Sequence, residues 1–180
     1  ERAAPAVIRL AVVGAGTRGT ALAAHAAALP GTAVTAVAEP DPRRCAAFAR
    51  AHALPDAACF ETWERLVAAD PLPFDAAIVA TLDNAHTAPA LALLARGRPL
   101  LIEKPLADTA ADAAAIRDAG REAGAVVAVC HTLRFMEPFA TIRRRVAAGA
   151  VGTIVHIEHM EAIGHIRFTH NYVRGQWGDA

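Results

Sequence analysis

The chain has 180 residues, of which 54% are hydrophobic and 20% charged, and its formal net charge at pH 7 is +0. A chain of this length suits one domain together with the beginning of another. It has no basic stripe that would hold a nucleic acid, and its alanine-rich runs are too short and too interrupted to cross a bilayer.

The three cysteines, Cys45, Cys59 and Cys130, are far apart and lack the spacing of metal ligands. Scattered thiols in odd number are typical of a reducing compartment, which favours the cytoplasm. Several histidines lie close together near the C-terminal end, but a strand would point His156 and His159 to opposite faces. We therefore expect no metal site.

Short β-branched runs alternate with longer alanine-rich runs along the first 132 residues. The pattern predicts strands at 7–13, 33–38, 76–80, 99–102 and 126–129, with a short segment at 58–60. It predicts helices at 17–29, 41–53, 62–69, 85–96 and 109–123. Because the strands are apolar on both faces, we expect an α/β fold with a Rossmann-type, doubly wound parallel sheet.

The pattern changes after about residue 132. Residues 138–149 predict a basic-faced helix, and the alternation in 152–163 predicts a strand with one wetter face. We therefore expect two domains. Residues 1–132 would form the parallel sheet, and 133–180 would form the incomplete beginning of an open-sheet α/β domain.

A glycine-rich loop follows the first predicted strand. Gly14, Gly16 and Gly19 fit the pattern G-x-G-x-x-G, with Thr17 and Arg18 between the last two glycines. In such a loop the glycines permit a tight turn, close approach of a pyrophosphate and close helix–strand packing. The N–H groups at the start of the next helix attract phosphates, so these five residues predict dinucleotide binding.

An acidic residue ends the second predicted strand. Glu39 lies 20 residues beyond Gly19, where a carboxylate takes the adenosine ribose hydroxyls. A carboxylate there repels a 2′-phosphate and favours NAD. Arg43 and Arg44 could instead clamp that phosphate, so NADP stays the alternative.

A second polar element, Glu103-Lys104-Pro105, follows the strand predicted at 99–102. It lies at the carboxyl edge of the sheet, where ligands of open α/β folds bind. A lysine there can hold a substrate hydroxyl and favour its alkoxide. Taken alone, the element is better explained as a surface Glu-Lys pair before a proline.

Together these stretches resemble the Gfo/Idh/MocA oxidoreductases, the family of glucose–fructose oxidoreductase and inositol 2-dehydrogenase. The resemblance covers nearly the whole chain. The matching stretches are residues 12–19, 38–41, 79–86, 103–106 and 133–135, with 151–155 resembling the start of the family's second domain and 170–177 a segment of one branch.

The resemblance implies a role for each matching position. The glycine loop, Glu39 and Arg43 are implied to contact the cofactor. Four further residues implied to do so are Thr81, His86, Glu103 and His131. Lys104 matches the active-site lysine. Those implied to border the substrate are Lys104, Arg134, Tyr172 and Trp177.

The implied activity is NAD(P)-dependent hydride transfer to or from a sugar, cyclitol or related polyol. Family members continue past this point and carry a further acid/base histidine, so we expect a truncated chain that holds the cofactor better than it catalyses. A homo-oligomer is implied for the full-length form. The alternatives are an NAD-dependent glycosidase of the same fold and a non-catalytic dinucleotide-binding regulator.

Overall fold

A computed structural model describes residues 7–162, 164 and 165 of the chain. The chain divides into two compact units, with the boundary between Thr132 and Leu133. Among the described residues, no helix is long and apolar enough to cross a membrane.

The first unit alternates strands with helices. Its strands are β1 (Ile8–Val13), β2 (Thr32–Ala38), β3 (Cys59–Phe60), β4 (Ala76–Val79), β5 (Leu100–Ile102) and β6 (Val127–Val129). Its helices are α1 (Thr17–Ala27), α2 (Pro42–His52), α3 (Trp63–Ala68), α4 (Thr87–Ala95) and α5 (Ala110–Glu122). The six strands form one parallel sheet in the order β3-β2-β1-β4-β5-β6. This order is that of a Rossmann fold, so the predicted fold class is confirmed.

Successive residues of the central strands point to opposite faces of the sheet, and each face buries its own core. Val12 and Ile78 pack with Phe48 of α2 on one face. Val13 and Val79 belong to the core on the other face. Because the sheet is covered by an apolar core on each face, residues 10–13 of β1 and all four residues of β4 are apolar.

The central strands end in step with one another. In register, Val13 is paired with both Ala38 and Val79, Val79 with Ile102, and Ile102 with Val129. The five loops that follow therefore start along one line at the carboxyl edge of the sheet. This edge carries the ligands of open α/β folds, and the strand order reverses between β1 and β4.

The second unit begins with a helix, α6 (Phe139–Ala147). Glu137 accepts hydrogen bonds from the backbone N–H of Thr141 and from Arg144, which ties the first turns together. The strand predicted at 152–163 is wrong for its described part, because residues 154–162 have no regular structure. Alternating side chains make a strand only when a neighbour completes the hydrogen-bonded ladder, and no described residue pairs with this segment.

Candidate functional site

The glycine-rich loop connects β1 to α1 and lies against Ala80 and Thr81, the first residues after β4. Gly14 has φ +91, and a Cβ there would lie 2.6 Å from the carbonyl oxygen of Ala80. A Cβ on Gly19 would overlap the carbonyl oxygen of Gly14. Both glycines are therefore required by the fold itself.

Gly16 is different, because the fold does not require it. Its φ of −70 suits any residue, and a Cβ there would meet no atom within 4 Å. It is the N-cap of α1, and no side-chain cap hydrogen bond forms there among the described residues. The first turn, which includes Thr17 and Arg18, therefore has no capping side chain and begins beside open space, two features that an anion site at a helix N-terminus requires.

Glu39 follows β2 and is 4% exposed. Its carboxylate accepts hydrogen bonds from the backbone N–H groups of Ala15 (2.8 Å) and Asp41 (2.9 Å) and from Nη2 of Arg44 (2.6 Å). Burial acts to raise the pKa of Glu39, but the hydrogen bond from Arg44 and the two backbone N–H groups outweigh burial and lower it. The site therefore holds an ionised carboxylate within reach of the glycine loop.

The two neighbouring arginines of α2 differ in position. Asp41 caps the helix by accepting from the backbone N–H groups of Arg43 and Arg44, with Pro42 at the first helical position. Arg44 forms the ion pair with Glu39. Arg43 is exposed and contributes only its backbone N–H to the side-chain hydrogen bonds found within 7–162. Its cofactor contact stays a prediction.

Glu103 links two of the loops. It is 4% exposed, and its carboxylate accepts from Nε of Arg18 (2.8 Å) in the glycine loop and from the backbone N–H of Lys104 (3.0 Å). The hydrogen bond to Glu103 raises the pKa of Arg18. Buried Cys130, at the end of β6, has a raised pKa, because of burial and because of the Glu103 charge. Sequence reasoning did not anticipate Cys130 here.

Lys104 lies exposed at the start of the loop between β5 and α5. It is the single lysine among the 18 basic residues of the sequence, the others being arginine. That count is a sequence signal in its own right, because arginine cannot give up its proton and lysine can.

Thr81 and His86 lie in the segment between β4 and α4, and both make local contacts. The hydroxyl of Thr81 donates to the carbonyl oxygens of Ala85 (3.0 Å) and Leu82 (3.3 Å). His86 has no exposed surface, and its Nδ1 lies 2.8 Å from the carbonyl oxygen of Pro105. The ring is fully buried in this conformation, and the cofactor contact expected for His86 stays a prediction.

Two of the remaining predicted site residues lie in the described part of the chain. His131 is exposed just beyond Cys130 at the end of the first unit, and Arg134 is exposed in the second unit. Tyr172 and Trp177 lie outside the described residues. Their roles stay predictions.

Comparison with known proteins gives one family. The model of the Gfo/Idh/MocA oxidoreductase family with an NAD-binding Rossmann fold matches residues 8–131. Inositol 2-dehydrogenase 1 of Saccharopolyspora erythraea is 33% identical over 171 residues, which cover 86% of this chain and 46% of that protein. An inositol 2-dehydrogenase of Rubrobacter xylanophilus is 33% identical over 82% of this chain and 42% of its own length.

Among solved structures, the chain resembles the myo-inositol dehydrogenase of Lactobacillus casei in complex with NAD(H) and myo-inositol. The TM-score is 0.73 at 28% identity, over 82% of this chain and 43% of that one. The chain thus spans less than half the length of these relatives.

Proposed function

The chain belongs to the Gfo/Idh/MocA oxidoreductases, and on that premise we propose that it is the dinucleotide-binding part of an enzyme that moves hydride between nicotinamide and a sugar, cyclitol or related polyol. Residues 1–132 would hold the cofactor, and 133–180 would begin the substrate and oligomerisation domain. The observation that carries the proposal is the alignment, along one sheet edge, of the glycine loop, ionised Glu39 and the Glu103–Lys104 loop.

Three features of the chain fit a dinucleotide. The space over Gly16 accommodates a pyrophosphate close to the backbone. The uncapped first turn of α1 offers N–H groups and the positive end of the helix dipole. At the end of β2, Glu39 offers a carboxylate for ribose hydroxyls.

The charge on Glu39 favours NAD over NADP. Its lowered pKa keeps it ionised at neutral pH, and an ionised carboxylate repels a 2′-phosphate. Arg44 is already paired with Glu39, so it is a weaker candidate for binding that phosphate than sequence alone suggests.

Bound nicotinamide would supply the hydride donor or acceptor. Lys104 would donate a hydrogen bond to the reacting oxygen of the substrate and stabilise the negative charge that develops there. As the hydride leaves the substrate carbon for the nicotinamide, the hydroxyl proton would pass to a base, the role of the further histidine that family members carry. Glu103, Thr81 and His131 would border the cofactor, and Arg134, Tyr172 and Trp177 the substrate. The family resemblance also supports a homo-oligomer, and the scattered thiols favour the cytoplasm.

The test combines cofactor binding with turnover. We expect NADH to bind more tightly than NADPH in a fluorescence titration, and one or more cyclitols or sugars to drive NADH formation from NAD in the full-length protein. Lys104→Met should lower kcat by about 10²–10⁴-fold, the usual contribution of a positioned proton donor. The same variant should bind NADH as the parent does.

The matched control is Arg50→Met, which removes an exposed cation from α2 and should leave both measurements unchanged. Release of a free sugar without net NADH would indicate the glycosidase alternative. Failure to bind either dinucleotide, or full activity of Lys104→Met, would overturn the proposal.

A further inference from the structure

His86 is the residue of the site whose position the proposed function leaves unexplained. It has no exposed surface, and its Nε2 has no hydrogen-bond partner among the described residues. A buried polar nitrogen without a partner is uncommon in native structures and calls for an explanation.

Its backbone is held firmly. His86 is the N-cap of α4, and its carbonyl oxygen accepts the first helical hydrogen bond from the N–H of Ala90 (3.1 Å). Ala90, Leu93 and Leu94 anchor the same helix in the core. The imidazole therefore projects from a rigid part of the fold.

What the ring holds is the loop that carries Lys104. Nδ1 of His86 lies 2.8 Å from the carbonyl oxygen of Pro105, the residue after Lys104. A carbonyl oxygen can only accept, so Nδ1 carries the proton and donates. On the other side of Lys104, its backbone N–H donates to the carboxylate of Glu103 (3.0 Å), and the N–H of Glu103 donates to the carbonyl oxygen of Val79 (2.9 Å).

We propose that His86 is a positioning residue, whose Nδ1 hydrogen bond to Pro105 fixes the backbone from which Lys104 reaches the substrate. This inference deepens the proposed function and rests on it. The side chain of Lys104 is long and exposed, so the placement of its amine depends on how firmly the backbone on both sides of it is held.

Two amide substitutions separate hydrogen bonding from packing. In His86→Asn the amide nitrogen takes the place of Nδ1 and can still donate to Pro105. In His86→Gln the amide nitrogen takes the place of Nε2, and the carbonyl oxygen of Pro105 loses its donor. If the hydrogen bond matters, Asn should replace His86 better than Gln does. If only packing matters, Gln should be the better replacement, because its volume is closer to that of His.

The first measurement is hydrogen exchange, which needs no turnover. We expect peptides that cover residues 103–107 to exchange faster in His86→Gln than in the parent protein. In His86→Asn these peptides should exchange at the rate of the parent. Peptides of β2 and α2 serve as the internal reference and should not change. Equal exchange of residues 103–107 in His86→Gln and the parent would overturn the proposal whether or not Lys104 is catalytic.

The second measurement is steady-state kinetics. We expect His86→Gln to lower kcat by roughly 10- to 100-fold, because a displacement of about 1 Å at a reacting group can cost as much. The KM for the dinucleotide should stay the same, since the ring does not reach the surface, and His86→Asn should recover most of the rate.

The two measurements together separate this inference from the proposed function. If residues 103–107 exchange faster in His86→Gln but the protein oxidises no polyol, the role of the hydrogen bond is supported and the proposed oxidoreductase activity is refuted. Equal losses of kcat in Asn and Gln, or a larger loss in Asn, would refute the inference alone.

Discussion

The carboxylate of Glu39 accepts a hydrogen bond from the backbone N–H of Ala15 at 2.8 Å. Ala15 lies between the first two glycines of the loop, so the end of β2 fixes the conformation of the turn after β1. One buried side chain thereby connects the two features on which dinucleotide binding is proposed to depend. A change at Glu39 should therefore affect both the ribose and the phosphate end of that site.

Glu39→Gln tests this connection. An amide has one donor and one acceptor group, so its NH₂ must face either the N–H of Ala15 or those of Asp41 and Arg44. We expect the Kd for NADH to rise about tenfold or more, which corresponds to losing a hydrogen bond to a charged group. Binding of NADPH should weaken less, because the charge that repels its 2′-phosphate is gone.

The measurement is a fluorescence titration with both dinucleotides. Glu122→Gln, an exposed carboxylate at the end of α5, is the control and should bind as the parent does. An unchanged ratio of the NADH and NADPH affinities in Glu39→Gln would show that this carboxylate does not select the cofactor.

Arg44→Ala should shift the selectivity in the opposite direction. Arg44 neutralises Glu39 through an ion pair of 2.6 Å, and its removal leaves the carboxylate with only its two backbone donors. The unneutralised charge should repel a 2′-phosphate more strongly, so we expect NADPH to lose affinity and NADH to lose less.

Arg43→Ala is the matched variant one residue away. Its side chain makes no ion pair within the part of the chain that the structure describes, so both affinities should stay close to those of the parent. A larger loss of NADPH binding in Arg43→Ala than in Arg44→Ala would mean that Arg43 takes the phosphate.

The difference between these two arginines shows where sequence reasoning reached its limit. The strand, the glycine loop and Glu39 could be predicted because periodicity and spacing are local properties of the chain. Which arginine meets Glu39 depends on how α2 is rotated against the sheet. That rotation is set by Phe48, which is 2% exposed and lies one turn beyond Arg44 on the same helical face.

Two other features were beyond local patterns for the same reason. The alternation in 152–163 was interpreted as a strand, although a strand depends on partners that no local pattern supplies. His86 matched a family position expected to lie along the cofactor. His86 caps α4, and its burial against Pro105 accompanies the packing of α4 beside α5, a helix that no short window of sequence around His86 includes.

The ion pair of Arg9 and Asp75 should make stability depend on pH in acid. Asp75 accepts from the backbone N–H and the guanidinium of Arg9 and ties β1 to the residue before β4. These hydrogen bonds lower the pKa of Asp75 to about 2. A lowered carboxyl pKa stabilises the fold fully above the unfolded value of 3.8, and this contribution is lost as pH falls toward about 2.

Asp75→Asn removes that contribution. Both side chains are about half exposed, so solvent screening limits the expected loss to about 1 kcal/mol in the free energy of unfolding at pH 7. Urea unfolding should show this difference shrinking between pH 4 and pH 2. Asp56→Asn, an exposed aspartate at the start of a short 3-10 turn, serves as control, and a difference that stays constant down to pH 2 would contradict the assignment.

Gly14 and Gly16 should respond to alanine in opposite ways. Gly14→Ala places a Cβ 2.6 Å from the carbonyl oxygen of Ala80 at a φ of +91, so we expect a loss of stability of about 1–3 kcal/mol. Gly16→Ala meets no atom within 4 Å and has an ordinary φ. Its stability should stay the same or rise by about 0.5 kcal/mol, because alanine restricts the unfolded chain.

Gly16→Ala, which should not destabilise the fold, should instead weaken dinucleotide binding. In Gly16→Ala the methyl group enters the space over the start of α1 that we assign to the pyrophosphate, so NADH affinity should fall by at least about tenfold in a protein of undiminished stability. Thermal unfolding and NADH titration on the same samples separate the two effects. If Gly16→Ala binds NADH as the parent does, the phosphates do not lie against this turn, because the added methyl group would otherwise clash with them.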